Sequence, residues 1–331
     1  MGLVWFVFND ASTTEIYSAS FVGGVRCVYE TRLYVAGVYL AALPGGWVAD
    51  RILGKQDAVF WGGIIIALGH FALALGSATP FYVGLFLIVI GTGLLKPNVS
   101  AVVGDLYPDK GARRDAGFSI FYMGINLGAF IGPLVCGYFS ENVSWHLGFG
   151  AAGIGMLAGV IQYKLGSRHL KGAGLLDPSV DTGPAWSALF KGIGVCLAIA
   201  VGFYVLDRSG VLAMTVEGVA NGTGVLIVAI ALFYFSFLMV FGGLNGDEKK
   251  RVIYIFLLFV GASLFWAGFE QAGSSLNLFT DEHVDRNLFG WEVPASMFQS
   301  INAFYIMPLG PVFAGLWVWL GKKSWEPTAP M

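Results

Sequence analysis

Lys96 and Glu270 are the side chains most able to do chemistry in this sequence, because each carries charge inside an apolar run. Lys96 lies in "GTGLLKPNVSAVVGD" (91–105), directly after "PFYVGLFLIVI" (80–90). On insertion scales, a charged side chain at the middle of a bilayer costs about 2.5–3.5 kcal/mol. Lys96 falls roughly two-thirds of the way along its run, too deep for its ammonium to reach the interface easily. Pro97 removes one backbone hydrogen bond, and a kink there would open carbonyl groups to a cavity. Two roles fit such an ammonium: contact with an ion or solute in a water-filled path, or a structural ion pair between helices.

Glu270 closes "FWAGFE" (265–270), near the end of its run. An interfacial glutamate is the plain reading. Against it, Phe265, Trp266 and Phe269 surround the carboxylate with apolar bulk, a setting in which a carboxyl group can take up and release a proton. A lysine in one helix group and a glutamate in another can then form a pair whose state depends on protonation.

Uncharged polar groups add to these two. Ser119, Tyr122 and Asn126 fall at i, i+3, i+7 on one helical face, and Ser263, Trp266 and Glu270 repeat the pattern. Asn302 sits in a later run. Singly, such groups are more often interhelical hydrogen bonds than ligand contacts. With Lys96 and Glu270 they make a pocket offering cationic, anionic and amide-directed groups, which suits a zwitterion with a peptide bond. His70 reads as a satisfied packing histidine. His146, His169 and His283 fall in loops, and Cys27, Cys136 and Cys196 are scattered without metal or redox spacing.

The elements that must position these groups are membrane helices. Of 331 residues, 56% are hydrophobic and only 12% charged, half the charge of an ordinary soluble chain. A net charge of −2 gives no basic footprint for nucleic acid. The 47 glycines suit close helix packing in lipid, and Gly124 with Gly128 and Gly155 with Gly159 show GxxxG spacing. Apolar runs of spanning length cover roughly 57–76, 80–104, 117–139, 146–163, 187–206, 222–243, 251–271 and 298–320. A shorter ninth, 33–47, reaches full length only by taking in Arg26, Glu30 and Arg32. Taken alternately, one set of loops holds 14 Lys and Arg residues and the other holds only Arg208 and Arg286. The first set is therefore cytoplasmic, provided 187–206 and 222–243 both span as a hairpin.

In the cytoplasmic loop "GGWVADRILGKQ" (45–56), Asp50 and Arg51 fit either a charged latch or simple topology marking. The expected organisation is an uncertain segment 1–32, a helical bundle 33–163, a cytoplasmic linker 164–186, an inserted hairpin 187–244, further bundle helices 245–323 and a tail 324–331. No signal peptide, nucleophile–base set, metal cluster or phosphate loop is evident, so an enzyme is the least expected class.

Six stretches carry a resemblance: "GGWVADRILG", "WGGIIIALGH", "GTGLLKPNVSAVVGDLY", "RRDAGFSIFYMGINLGAFIGPL", "WHLGFGAAGIGM" and "FWAGFEQAGSSLNLF". Together, from about 33 to 323, the chain resembles the proton-coupled oligopeptide transporter (peptide/nitrate transporter) family of the major facilitator superfamily. The resemblance implies an all-α polytopic membrane protein: a major facilitator-type helical bundle, incomplete here, with an inserted transmembrane hairpin like that of bacterial members. It implies symport of di- and tripeptides across the inner (plasma) membrane by alternating access. Small peptides and the bilayer are then the partners, protons the coupling ion, and no cofactor or metal is expected.

By the same resemblance, Lys96 matches the family lysine tied to proton coupling and the peptide carboxylate. Glu270 matches the glutamate that links protonation to the outer gate. Tyr39, Tyr122, Asn126, Trp266 and Asn302 match pocket positions, and Asp50 and Arg51 belong to the facilitator loop motif. Two departures stand out. The first-helix motif of the form ExxERFxYY is not found, and "VRCVYETRLYV" (25–35) does not replace it. The chain also stops after what would be the eighth core helix, so truncation at both ends is expected. A carrier of nitrate or another small solute, and a non-transporting membrane subunit, remain as alternatives.

Overall fold

The computed structural model describes residues 25–107, 112–170, 172–210, 215–273 and 275–323. The expected uncertain segment therefore lies largely outside the described residues, as does the tail. What is described is nearly all helix, the form in which an apolar run satisfies every backbone group without water. The helices are α1 (Val25–Val48), α2 (Lys55–Leu73), α3 (Ala78–Asp105), α4 (Ala112–Asn142), α5 (Trp145–Gly166), α6 (Gly183–Arg208), α7 (Val216–Phe241), α8 (Gly246–Phe269), α9 (Ser275–His283) and α10 (Ser300–Lys322). Each expected span is a helix.

Six stretches of the described residues are long and apolar enough to cross a membrane: 55–73, 78–105, 116–142, 183–208, 221–241 and 246–283. α5 and α10 fill the other two expected spans with 22 and 23 residues. α1 reaches 24 residues by including 25–32, as its length demanded.

Helices α1, α2, α3 and α5 share one apolar core. Val59, Ile66 and Leu73 of α2 meet Ile88, Leu95 and Val99 of α3, Phe149, Met156 and Val160 of α5, and Tyr34 and Val38 of α1. Gly124, Gly128, Gly155 and Gly159 are buried. The closest backbone approaches lie elsewhere. A Cβ on Gly62 would stand 2.7 Å from the Gly91 carbonyl oxygen, and one on Gly91 would stand 2.7 Å from that of Gly62. Gly69 and Gly84 repeat this reciprocal contact at 2.9 and 2.7 Å. α2 and α3 thus pack antiparallel with carbonyl oxygens where side chains would otherwise be.

His70 corrects an expectation. It is fully buried, but neither ring nitrogen has a hydrogen-bond partner among the described residues, so it is not a satisfied packing histidine.

α6 and α7 bury none of their most apolar stretch in the protein, which leaves their surfaces to lipid. The linker before them is tied down. Gln56 donates from its backbone N–H to the Gly174 carbonyl (3.2 Å) and from its amide to the Ala173 carbonyl (2.6 Å).

Between α8 and α10, where the sequence shows no apolar run, the chain is also ordered. It makes a 3-10 turn (Glu270–Gly273), α9, a two-stranded hairpin of β1 (Asn287–Leu288) with β2 (Trp291–Glu292), and a second 3-10 turn (Ala295–Gln299). Phe289 and Gly290 at the hairpin tip have φ of 54° and 86°. Two positive φ values are what a type I′ turn requires.

Candidate functional site

α1 and α3 cross at glycines, Gly45 of α1 and Gly93 of α3. Pro97 has no N–H to offer the Gly93 carbonyl one turn earlier. Gly45 of α1 lies so close to that carbonyl that a Cβ would overlap it, and a Cβ on Gly93 would in turn be forced against the Ala41 carbonyl. Asn98, buried, donates its amide to the Leu94 carbonyl (2.7 Å) and across to the Gly45 carbonyl (3.4 Å). α3 runs on as one helix through Pro97, so the expected exposure of carbonyls at a kink is replaced by packing of α1 against them.

This crossing sets Tyr39 of α1 beside Lys96 of α3. The Lys96 ammonium stands over the Tyr39 ring, 4.9 Å from its centroid. The Tyr39 hydroxyl donates to Glu270 Oε1 at 3.0 Å, from 231 positions away. Three candidates from three helical segments therefore form one chain: ammonium, aromatic ring, hydroxyl, carboxylate. A cation over a tyrosine face contributes about 0.5–1 kcal/mol when exposed and about 2 when desolvated. A hydroxyl donating to an ionised carboxylate makes one of the stronger hydrogen bonds available. The two contacts reinforce each other, since a donating hydroxyl leaves more negative charge on the ring the ammonium faces.

Glu270 stands at the end of its helix, where the sequence reading has it. It caps the C-terminus of α8 and opens the 3-10 turn that leads to α9. A tightened turn inside a long apolar segment frequently marks a hinge. One α-turn earlier, Trp266 packs edge-on against Phe265 and Phe269, with ring centroids 5.7 and 5.2 Å apart. Tyr39 and Trp266 are each about half exposed, at 48% and 49%.

Of the remaining candidates, Tyr122 and Asn302 are exposed, while Asn126 is buried and turns its amide back to the Tyr122 carbonyl (2.9 Å). Tyr122 and Asn126 lie one turn apart on the same face of α4, the tyrosine open and the asparagine buried with its amide on its own helix. Asp50 and Arg51 are exposed in a π-helical turn, Ala49–Leu53, ended by Gly54 at φ 83°. Among the described residues at this end of the molecule, Lys55 pairs with Asp105 at 2.8 Å, joining the start of α2 to the end of α3.

Sequence reasoning missed Asn98 and Glu141. Asn98 sits in the same "KPN" triplet that drew attention to Lys96, and an amide beside a proline in a span was the available signal. Glu141, at the end of α4, accepts from the backbone N–H groups of Ala295 and Ser296 and from the Ser296 hydroxyl. Nothing in the local sequence marked it.

A family model described as the POT family matches residues 56–331. The chain is 42% identical over 301 residues to the uncharacterized transporter YclF of Bacillus subtilis, and 39% identical over 307 residues to the peptide transporter YePEPT of Yersinia enterocolitica. Each alignment covers 90% of this chain, and the chain spans 60% of the length of either curated relative. A crystal structure of a peptide transporter POT in complex with sulfate superimposes with a TM-score of 0.88 at 37% identity, covering 99% of this chain and 69% of that one.

Proposed function

The chain belongs to the POT family, and from that premise we propose that it carries out proton-coupled symport of di- and tripeptides across the cytoplasmic (inner) membrane by alternating access. It is a multi-pass membrane protein of the transporter class, not an enzyme, with the helical architecture of the major facilitator type. The observation that carries the reading is Tyr39, whose ring faces the Lys96 ammonium and whose hydroxyl holds Glu270.

In this reading Glu270 takes up the driving proton. Its protonation removes the negative charge to which the Tyr39 hydroxyl donates, weakens that bond, and lowers the negative charge on the ring that Lys96 faces. Lys96 is then free to meet the peptide carboxylate. Tyr122, Trp266 and Asn302 line the path as half-open groups for the peptide backbone and side chains, and Asn126 holds the α4 backbone beside Tyr122. Asp50 and Arg51 serve the cytoplasmic gate. The helices divide into a first bundle (33–163), a linker (164–186), an inserted hairpin (187–244) and the helices of a second bundle (245–323), which rock against each other.

The test is uptake of a labelled dipeptide by vesicles containing the protein, with and without an inward proton gradient. The reading expects uptake that rises with the gradient and is competed by unlabelled tripeptide. Gradient-independent uptake, or competition by nitrate and not by peptide, would overturn it.

A further inference from the structure

A second joint between early and late helices lies at the far end of α4. By the distribution of Lys and Arg, the 143–144 turn and the segment 284–299 are on the outer side of the membrane. Here Glu141 closes α4, and both of its carboxylate oxygens accept hydrogen bonds. Oε2 accepts from the Ala295 N–H at 3.1 Å, and Oε1 accepts from the Ser296 N–H at 3.2 Å and the Ser296 hydroxyl at 2.6 Å. Gly137, one turn earlier on the same face, has no side chain where the Ser296 hydroxyl sits, and a Cβ there would overlap it. Further down, the Ser300 hydroxyl donates to the Phe130 carbonyl at 2.7 Å, and the Phe130 and Phe304 rings lie 5.9 Å apart.

The partner segment is built to present these donors. Arg286 bonds the Val293 carbonyl (3.0 Å) and Glu292 (3.0 Å), pairs with Asp281 (2.8 Å), and stands 3.8 Å from Glu141 Oε2. Its side chain is only 13% exposed. The 285–296 stretch is therefore a folded unit that meets α4 through the Glu141 carboxylate and, one turn earlier, through Ser296 seated against Gly137.

We propose that Glu141 is a positioning residue for transport: with Ser296 and Arg286 it clamps the outer halves of the two helix groups shut, and it releases once per cycle. The inference rests on the alternating-access reading above. The chemistry suits release. A carboxylate 25% exposed and bound through polar donors can exchange each partner for water as the faces part. A purely apolar seam would have to expose dry surface instead.

The experiment uses the protein in lipid nanodiscs, with Cys27, Cys136 and Cys196 changed to serine. Spin labels go at Val143 and Leu288, both exposed, on either side of the joint. Pulsed dipolar spectroscopy is run with and without dialanine, on the parent and on the Glu141→Gln and Ser296→Ala variants. The expected result is a short-distance and a long-distance population, the long one growing at least threefold in both variants and responding to dialanine in the parent. A single distance, unchanged by variant and by dipeptide, would make the joint a fixed pivot and overturn the proposal. Ser296→Ala carries the test alone if Glu141→Gln does not fold. If the populations shift with the variants but not with dialanine, the clamp stands and the substrate class proposed above falls.

Discussion

The hydroxyl of Tyr39 holds the carboxylate of Glu270 at 3.0 Å, joining a residue of the first described helix to the break between α8 and α9. On its ring face the same tyrosine meets Lys96. Removing only the oxygen separates the two functions. A hydrogen bond to a charged group contributes about 1.5–3 kcal/mol, so Tyr39→Phe is expected to lower the initial rate of proton-driven dipeptide uptake about tenfold or more. The variant keeps its ring, and folding is expected to be unchanged by thermal melting. Uptake at the parent rate would remove the hydroxyl from the coupling path.

Lys96→Gln keeps the length of the side chain and loses its charge. Proton-driven accumulation is expected to disappear, while exchange of labelled for unlabelled dipeptide across vesicles without a gradient continues at a reduced rate. Both activities are measured on one preparation, so a folding defect shows as loss of both.

The glycine contacts predict a sharp contrast between a packed and an open site. Gly91→Val forces a side chain against the Gly62 carbonyl and Ile66, and overpacking of this kind costs about 1–3 kcal/mol. Gly46→Ala adds a methyl where nothing lies within 4 Å, and is expected to be neutral or stabilising by about 0.5–1 kcal/mol through helix propensity. Melting followed by tryptophan fluorescence in detergent should fall by several degrees for the first and hold or rise for the second.

Lys55 and Asp105 pair at 2.8 Å beside the 45–56 loop, yet their side chains are 27% and 40% exposed. Pairs of that exposure contribute about 0–1 kcal/mol. Lys55→Met should therefore change the melting temperature by no more than about 2 °C, and the difference should shrink in high salt. A loss of uptake without a loss of stability would assign the pair to gating.

The helices were legible because an apolar run of spanning length has one folded form in lipid. Lys96 and Glu270 were legible because charge in such a run has few inexpensive explanations. Tyr39 was reached only by resemblance: nothing near it in sequence reveals a partner 231 positions on. The Pro97 expectation had the right chemistry and the wrong outcome, since the freed carbonyl faces Gly45 and not a cavity. Gly62 and Gly69 are seven residues apart, as are Gly84 and Gly91, so the α2–α3 contact left a spacing signal that GxxxG reading passes over. Glu141 left none, because its partners lie on a segment with neither helical period nor apolar run.

The carbonyl-to-glycine contacts leave α1, α2 and α3 without slack. At Gly69 and Gly84, sliding α2 against α3 by a single residue would drive a side chain into the facing backbone, which favours motion of these helices as a block. On the proposed mechanism the give falls to the polar joints, Tyr39–Glu270 and Glu141–Ser296.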